Sequence, residues 1–161
     1  MLIISSLMKN NLEKIKFRNA ILTDSKQLSN IEGEIFFNDK INTNFDIEIK
    51  KENKKIFVCT YENTLTVKKK LLEKIIRKKR EKKFIQEEVI IGYVKVWKIM
   101  EDMHIEQIGV LENFQKKGLG EKLLRIIINH SIQSGVKKII LECRKSNIPA
   151  INLYKKYLFN V

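Results

Sequence analysis

A chain of 161 residues with 43% apolar content is long enough for one domain with a sizeable core. No stretch approaches the ~20 unbroken apolar residues of a membrane-spanning helix, and two histidines with two separated cysteines form no metal-ligand cluster, so zinc chemistry is set aside. Of the net charge of +13, the run "KKKLLEKIIRKKREKK" (Lys68 to Lys83) holds +8, which makes the remainder unexceptional and leaves that run as either a solvated helix face or a contact to RNA or another polyanion.

The opening "MLIISSLMKNNL" is too short for a secretory apolar core and reads as an N-terminal extension. "EKIKFRNA" (Glu13 to Ala20) alternates as a strand does. Thr23, Asp24 and Ser25 then supply caps for a helix through about Gly33, with Leu28, Ile31 and Ile35 at helical spacing. "FFNDKINTNFDIEI" is an irregular or short helical connection, and "KIFVCTYEN" (Lys55 to Asn63) is a strand by its β-branched and aromatic content. Cys59 and Cys143 lie in apolar, strand-like runs, which suits buried thiols of a reducing, cytoplasmic compartment. In the basic run, Leu71, Leu72, Ile75 and Ile76 fall on one helical stripe.

"EVIIGYVKVWKI" (Glu88 to Ile99) and "MHIEQIGVL" (Met103 to Leu111) read as two strands of an antiparallel hairpin around a Glu101–Asp102 turn. A helix with Leu119, Leu123, Leu124, Ile127 and Ile128 on one face follows, stopped by Gly135. "KKIILEC" (Lys137 to Cys143) returns as a strand, which implies a parallel, right-handed crossover. "SNIPAINLYKKY" (Ser146 to Tyr157) makes the last helix, with Pro149 in its first turn, where the missing N–H costs little.

Between the second hairpin strand and its helix lies "ENFQKKGLGEKLL" (Glu112 to Leu124). A glycine-bearing loop at a helix N-terminus presents main-chain N–H groups at the positive end of the helix dipole, where an anion of diphosphate size is stabilised. Gly118 and Gly120 permit close approach and Lys116 and Lys117 add positive charge, yet a basic turn explains "QKKGLG" as well.

The stretch "IGVLENFQKKGLGEKLL", followed about 20 residues on by "ILECRKSNIPAINLYKKYLF", resembles the acetyl-CoA-binding half of the GNAT N-acetyltransferase superfamily. Its "RKSN…A…LY" phrase is similar to the enzymes that acetylate protein N-termini, the ribosomal-protein alanine acetyltransferases and the Nα-acetyltransferases. The likeness covers about a third of the chain, Ile105 to Phe159, with a fainter echo in "TDSKQLSNIEGEIFFNDK". It implies an α/β GNAT fold, a mixed central sheet with helices on both faces, in one domain spanning 1–161 with a basic insertion at about 65–87.

The resemblance also implies roles. The backbone of Ile108 and Val110 would pair with the pantetheine arm of acetyl-CoA, and Val110 N–H would stabilise the oxyanion. The loop Gln115, Lys116, Lys117, Gly118, Leu119, Gly120 and Glu121 would hold the diphosphate, and Asn147 would touch the cosubstrate or simply cap its helix. Glu142 would be the general base and Tyr154 the general acid; the plain alternatives are a surface partner for Lys138 and a packing tyrosine. His104 sits where some relatives carry a catalytic tyrosine and is read as structural, while Phe36 and Phe37 would line an apolar cleft for the acceptor's first residue or belong to the core. An α-amine of pKa about 7.7–8.0 is roughly 10–20% neutral near pH 7, against below ~0.1% for lysine, which favours transfer to a protein or peptide N-terminus. The alternatives are a lysine or small-amine acetyltransferase and a weak GNAT fold that binds ribosome or RNA through Lys68 to Lys83. Two departures stand out: relatives have glycine where this chain has Leu158, and they continue through two C-terminal strands where this sequence stops at Val161, which implies missing strands and weakened peptide binding.

Overall fold

The computed structural model describes residues 14–39, 41–66 and 84–160; the N-terminal extension and the basic run Lys68 to Lys83 lie outside the described residues. The chain divides into two compact units, residues 1–16 with 60–89 and residues 17–59 with 90–161. The strands follow chain order across a five-stranded sheet: β1 (Ile15–Asn19), β2 (Lys54–Thr66), β3 (Phe84–Ile99), β4 (Asp102–Val110) and β5 (Lys138–Leu141). Pairing is antiparallel between β3 and β4 and parallel between β4 and β5, so the sheet is mixed. The helices are α1 (Ser25–Ile35), α2 (Phe45–Glu48), α3 (Leu119–Gln133) and α4 (Ile148–Lys156). In the smaller unit, Glu62 N–H donates to Lys14 O (3.0 Å), and the side chains of Lys16 and Glu62 form an ion pair.

The larger unit carries the core. Every residue from Ile90 to Val96 is buried, which requires cover on both faces of β3. Leu28 and Ile31 of α1 and Phe45 of α2 join Ile56, Val58, Ile90 and Tyr93 in one cluster, and Leu119, Leu123, Leu124 and Ile127 bury the inner stripe of α3. Ile128, expected on that stripe, is only half-buried; Ser131 takes the next buried position. Cys59 is fully buried, and burial raises its thiol to about 12.

Asp24 does not cap α1 through its side chain. It accepts from Ile21 N–H (2.8 Å) and from both terminal nitrogens of Arg18 (2.7 and 3.0 Å). Burial alone would raise this carboxyl, but the hydrogen bonds from Arg18 and Ile21 outweigh it and hold it below the usual range.

The two long helices of the C-terminal half end in the same way. At α3, Val136 N–H reaches Ser131 O and Gly135 N–H reaches Ile132 O; at α4, Phe159 N–H reaches Tyr154 O and Leu158 N–H reaches Lys155 O. This pairing requires a left-handed residue just past the helix. Gly135 supplies it at φ 65°, whereas at α4 Leu158 is held at φ 63°.

Several boundaries differ from the sequence reading; β2 extends to Thr66 rather than Asn63, and β3 begins at Phe84 rather than Glu88. The β3–β4 turn is Met100–Glu101 rather than Glu101–Asp102, since Ile99 pairs with Asp102 and Met100 takes φ 53°, as a primed two-residue turn demands. β5 stops at Leu141, so Glu142 and Cys143 lie beyond the strand and Cys143 is only half-buried. The cause is in β4: the register with β3 passes from Lys95↔Gln107 to Val96↔Ile105, leaving Glu106 as an extra residue. Such a bulge bends its strand.

Candidate active site

The bend opens the sheet. β4 and β5 pair from Asp102↔Lys138 to Ile105↔Leu141 and no further, so Glu106 to Val110 leave their parallel neighbour. Glu106 is fixed by Lys54, whose Nζ donates to both carboxylate oxygens (3.0 and 3.1 Å). Leu111 N–H donates to Ile91 O (2.9 Å) on the β3 side. Hydrogen-bond direction alternates along a strand, so the N–H groups of Val110 and Ile108 face the edge that β5 has vacated. That edge is one side of a cleft of about 590 Å³, bounded also by Phe36, Glu142, Asn147 and Tyr154.

Gln115 marks the end of the cleft next to the basic loop, and its amide donates to Val110 O (3.0 Å). From there the backbone turns left-handed at Lys116 (φ 57°) and again at Gly118 (φ 76°), the N-cap of α3. Among the described residues the N–H groups of 116–121 have no hydrogen-bond acceptor; the first satisfied amide of α3 is Lys122, bonded to Gly118 O at 3.0 Å. A Cβ added at Gly118 or Gly120 would meet nothing within 4 Å. The loop is thus an open set of donors at a helix N-terminus, with the chemistry to hold a diphosphate. Lys116 and Lys117 are exposed, Lys117 lying over the Phe114 ring at 5.0 Å and bonded to Asn113 O. Glu121 has its carboxylate committed to Lys156 (2.7 Å) and Tyr157 (2.8 Å), the first of which chiefly lowers its pKa, so only its main chain is left for an anion.

Four charged side chains line the cleft: Asp39, Glu106, Glu142 and Arg144. Asp39 pairs with Arg144 and Glu106 with Lys54. Glu142 alone has no partner among the described residues, and its expected alternative partner, Lys138, is not bonded to it. Tyr154, on α4, is buried and tilted against Phe159 (5.8 Å between ring centres), with no hydrogen-bond partner for its hydroxyl among the described residues. Burial raises the phenol to about 12, so it stays protonated at neutral pH.

The remaining sequence candidates separate. Asn147 lines the cleft and also caps α4, accepting from Ala150 N–H at 3.3 Å. Phe36 lines the cleft and meets Tyr93 edge-on at 6.3 Å, while Phe37 is 79% exposed and is not brought to it. His104 is paired within the sheet, opposite Trp97 and Ile140, and takes no part in the lining.

Three residues escaped the sequence reading. Gly109 is one: a Cβ there would lie 2.5 Å from Ile35 Cγ2, so only glycine lets the end of α1 sit against β4. Its signal was a glycine inside a strand. Glu32 and Gln107 are the others, and both are buried. Gln107 Nε2 donates to Glu32 Oε1 (2.9 Å), and Thr43 bonds to the same carboxylate through its N–H (2.9 Å) and its hydroxyl. Polar residues alternate in this strand at Asp102, His104 and Glu106, and the break in that alternation at Gln107 was the available sign of the bulge. Among the described residues no group of three or more His, Cys, Asp or Glu could hold a metal ion, and no helix is long and apolar enough to cross a membrane.

Comparison with known proteins decides the family: the sequence matches the Acetyltransferase (GNAT) family over residues 51–158. The chain belongs to the GNAT family. It is 42% identical over 57 residues to an N-alpha-acetyltransferase of Sulfolobus acidocaldarius, covering 35% of this chain and 34% of that protein. To a [ribosomal protein bS18]-alanine N-acetyltransferase of Salmonella typhimurium it is 37% identical over 62 residues, 38% of this chain and 42% of the relative. The matches therefore span under half the length of these curated relatives. The crystal structure of the ribosomal-protein-S18-alanine N-acetyltransferase of Escherichia coli superposes with a TM-score of 0.64 at 20% identity, covering 91% of this chain and 77% of that one; it shares the GNAT fold.

Proposed function

We propose that this GNAT chain transfers an acetyl group from acetyl-CoA to the N-terminal α-amine of a protein or peptide. The observation that carries the reading is the parting of β4 from β5 after Ile105, directly beside a helix N-terminus whose first amides have no acceptor among the described residues. An extended arm could pair along Ile108 and Val110 while a diphosphate accepts from 116–121, which matches the two polar parts of acetyl-CoA. The relatives named for N-terminal acetylation support this choice of acceptor class.

The chemistry asks little beyond what lines the cleft. A neutral amine attacks the thioester carbonyl; a C–N bond forms and the C–S bond breaks. Glu142, the unpaired carboxylate, accepts the proton the amine loses, directly or through a water, and Tyr154 gives its proton to the departing thiolate. Val110 N–H, facing the vacated edge, is available to the carbonyl oxygen as negative charge develops. A phenol kept neutral by burial is suited to the donor role, and a carboxylate facing water suits an α-amine that is already partly neutral at pH 7.

Turnover with acetyl-CoA and peptides of varied first residue tests the reading. Product formation that disappears when the α-amine is blocked supports it. Acetylation of a blocked peptide at a lysine would move the acceptor to side-chain amines.

A further inference from the structure

The buried polar cluster under the acceptor end of the cleft has a direction. Lys95 Nζ donates to Thr43 Oγ1 (3.2 Å), so the single hydroxyl hydrogen of Thr43 is turned toward Glu32. Glu32, only 2% exposed, accepts that hydrogen, the Thr43 N–H and one N–H of Gln107. A carboxylate can only accept, so the NH₂ end of Gln107 must face Glu32 and its oxygen must face Tyr93, whose hydroxyl lies 3.1 Å from Gln107 Oε1, closer than its 3.5 Å to Glu32 Oε1, and donates to the nearer oxygen. The carboxamide is therefore locked at both ends. Burial and the Glu32 carboxylate push the Tyr93 phenol up, which keeps that donor protonated.

The carboxamide itself has one hydrogen left over. A carboxamide has two N–H hydrogens, and Gln107 spends one on Glu32; the other has no acceptor among the described residues, although the side chain is 7% exposed and borders the cleft beside Phe36. A donor so enclosed is costly to leave unpaired. Each wall around it is tied to the same carboxylate: α1 carries Glu32 and leads to Phe36, Thr43 lies in the following segment, and β4 carries Gln107 next to Ile108.

We propose that Gln107 is a specificity-determining residue of the acceptor end, donating its second N–H to the carbonyl oxygen of the acceptor's first residue, and that Glu32 is the positioning residue that fixes it. The inference rests on the α-amine reading above and adds what that reading leaves out: an N-terminal amine differs from a simple amine by a carbonyl two bonds away, and this donor recognises the carbonyl.

The test compares two acceptors, an alanine-starting peptide and the same peptide with its first carbonyl reduced to a methylene, in the wild type, Gln107→Leu and Glu32→Gln, with kcat/KM expressed per neutral amine because losing the carbonyl raises the amine's pKa. Acetyl-CoA affinity and thermal unfolding are measured on each. The wild type should favour the carbonyl peptide by about tenfold in kcat/KM, as one hydrogen bond to a buried donor provides. In Gln107→Leu the preference should fall to near one, while acetyl-CoA affinity stays within about twofold. Glu32→Gln sets an amide against the same donors and frees the carboxamide to turn, so it should lose part of the preference through a raised peptide KM. A preference that survives Gln107→Leu overturns the inference, as does a folded variant that loses acetyl-CoA binding. Failure of the wild type to modify either peptide overturns instead the α-amine reading beneath it.

Discussion

Two regions beside the cleft satisfy their hydrogen bonds in opposite ways. At the Phe36 end the carboxylate of Glu32 already has donors in place, the N–H and hydroxyl of Thr43 and the carboxamide of Gln107, and both Glu32 and Gln107 are buried. At the other end the amides of 116–121 have no acceptors among the described residues, and the space beside Gly118 and Gly120 is open. A region complete in itself supports the fold and shapes what lies above it. A region left with surplus donors contributes little to the free protein and is open to an anion.

That contrast can be broken by mutation. Tyr154→Phe and Glu142→Gln lie between the two regions and should each lower kcat by about a hundredfold, with acetyl-CoA affinity and unfolding temperature nearly unchanged. Equal losses in kcat and in affinity would make them packing and binding groups instead. Glu32→Ala strips the acceptor from buried donors on Thr43 and Gln107 and should cost about 3 kcal/mol of stability in denaturant unfolding. A loss under ~1 kcal/mol would show that the closed cluster is not load-sharing in the fold.

Smaller effects sharpen the contrast. Leu158→Gly relieves the left-handed leucine after α4 and should raise stability by about 1 kcal/mol, since this side chain is 87% exposed and contributes little packing. Gly135→Leu, at the equivalent place after α3, should lose a similar amount. Gly120→Ala separates the two kinds of region most finely. A methyl in the first turn of α3, with nothing within 4 Å, should stabilise the free protein by about 0.5 kcal/mol and yet weaken acetyl-CoA several-fold, because it fills space an anion needs. Tighter binding by that variant would contradict the loop's role.

The sequence was legible wherever one periodicity governed. The apolar stripe Leu119, Leu123, Leu124, Ile127 announced α3, the glycine after it announced its end, and the strand–loop–helix order put the glycine-bearing loop at a helix N-terminus. β5 was overrun by two residues because its end is set by a bulge in another strand, which the apolar run "KKIILEC" does not record. Leu158 read as a mere departure from relatives until its backbone angle gave the glycine a reason. The Glu32–Gln107 contact joins residues 75 apart, and no local pattern connects them. Phe36 and Phe37 were indistinguishable as neighbours; a short helical turn at Phe37–Asp39 sends one into the cleft and the other to solvent.

The measurement that bears most directly on the central claim is amide hydrogen exchange with and without acetyl-CoA. Amides 116–121, unprotected in the free protein, should become protected together with Ile108 and Val110 when acetyl-CoA is added, while Thr43, already bonded to Glu32, should change little. Unaltered exchange at 116–121 in the presence of saturating acetyl-CoA would contradict it.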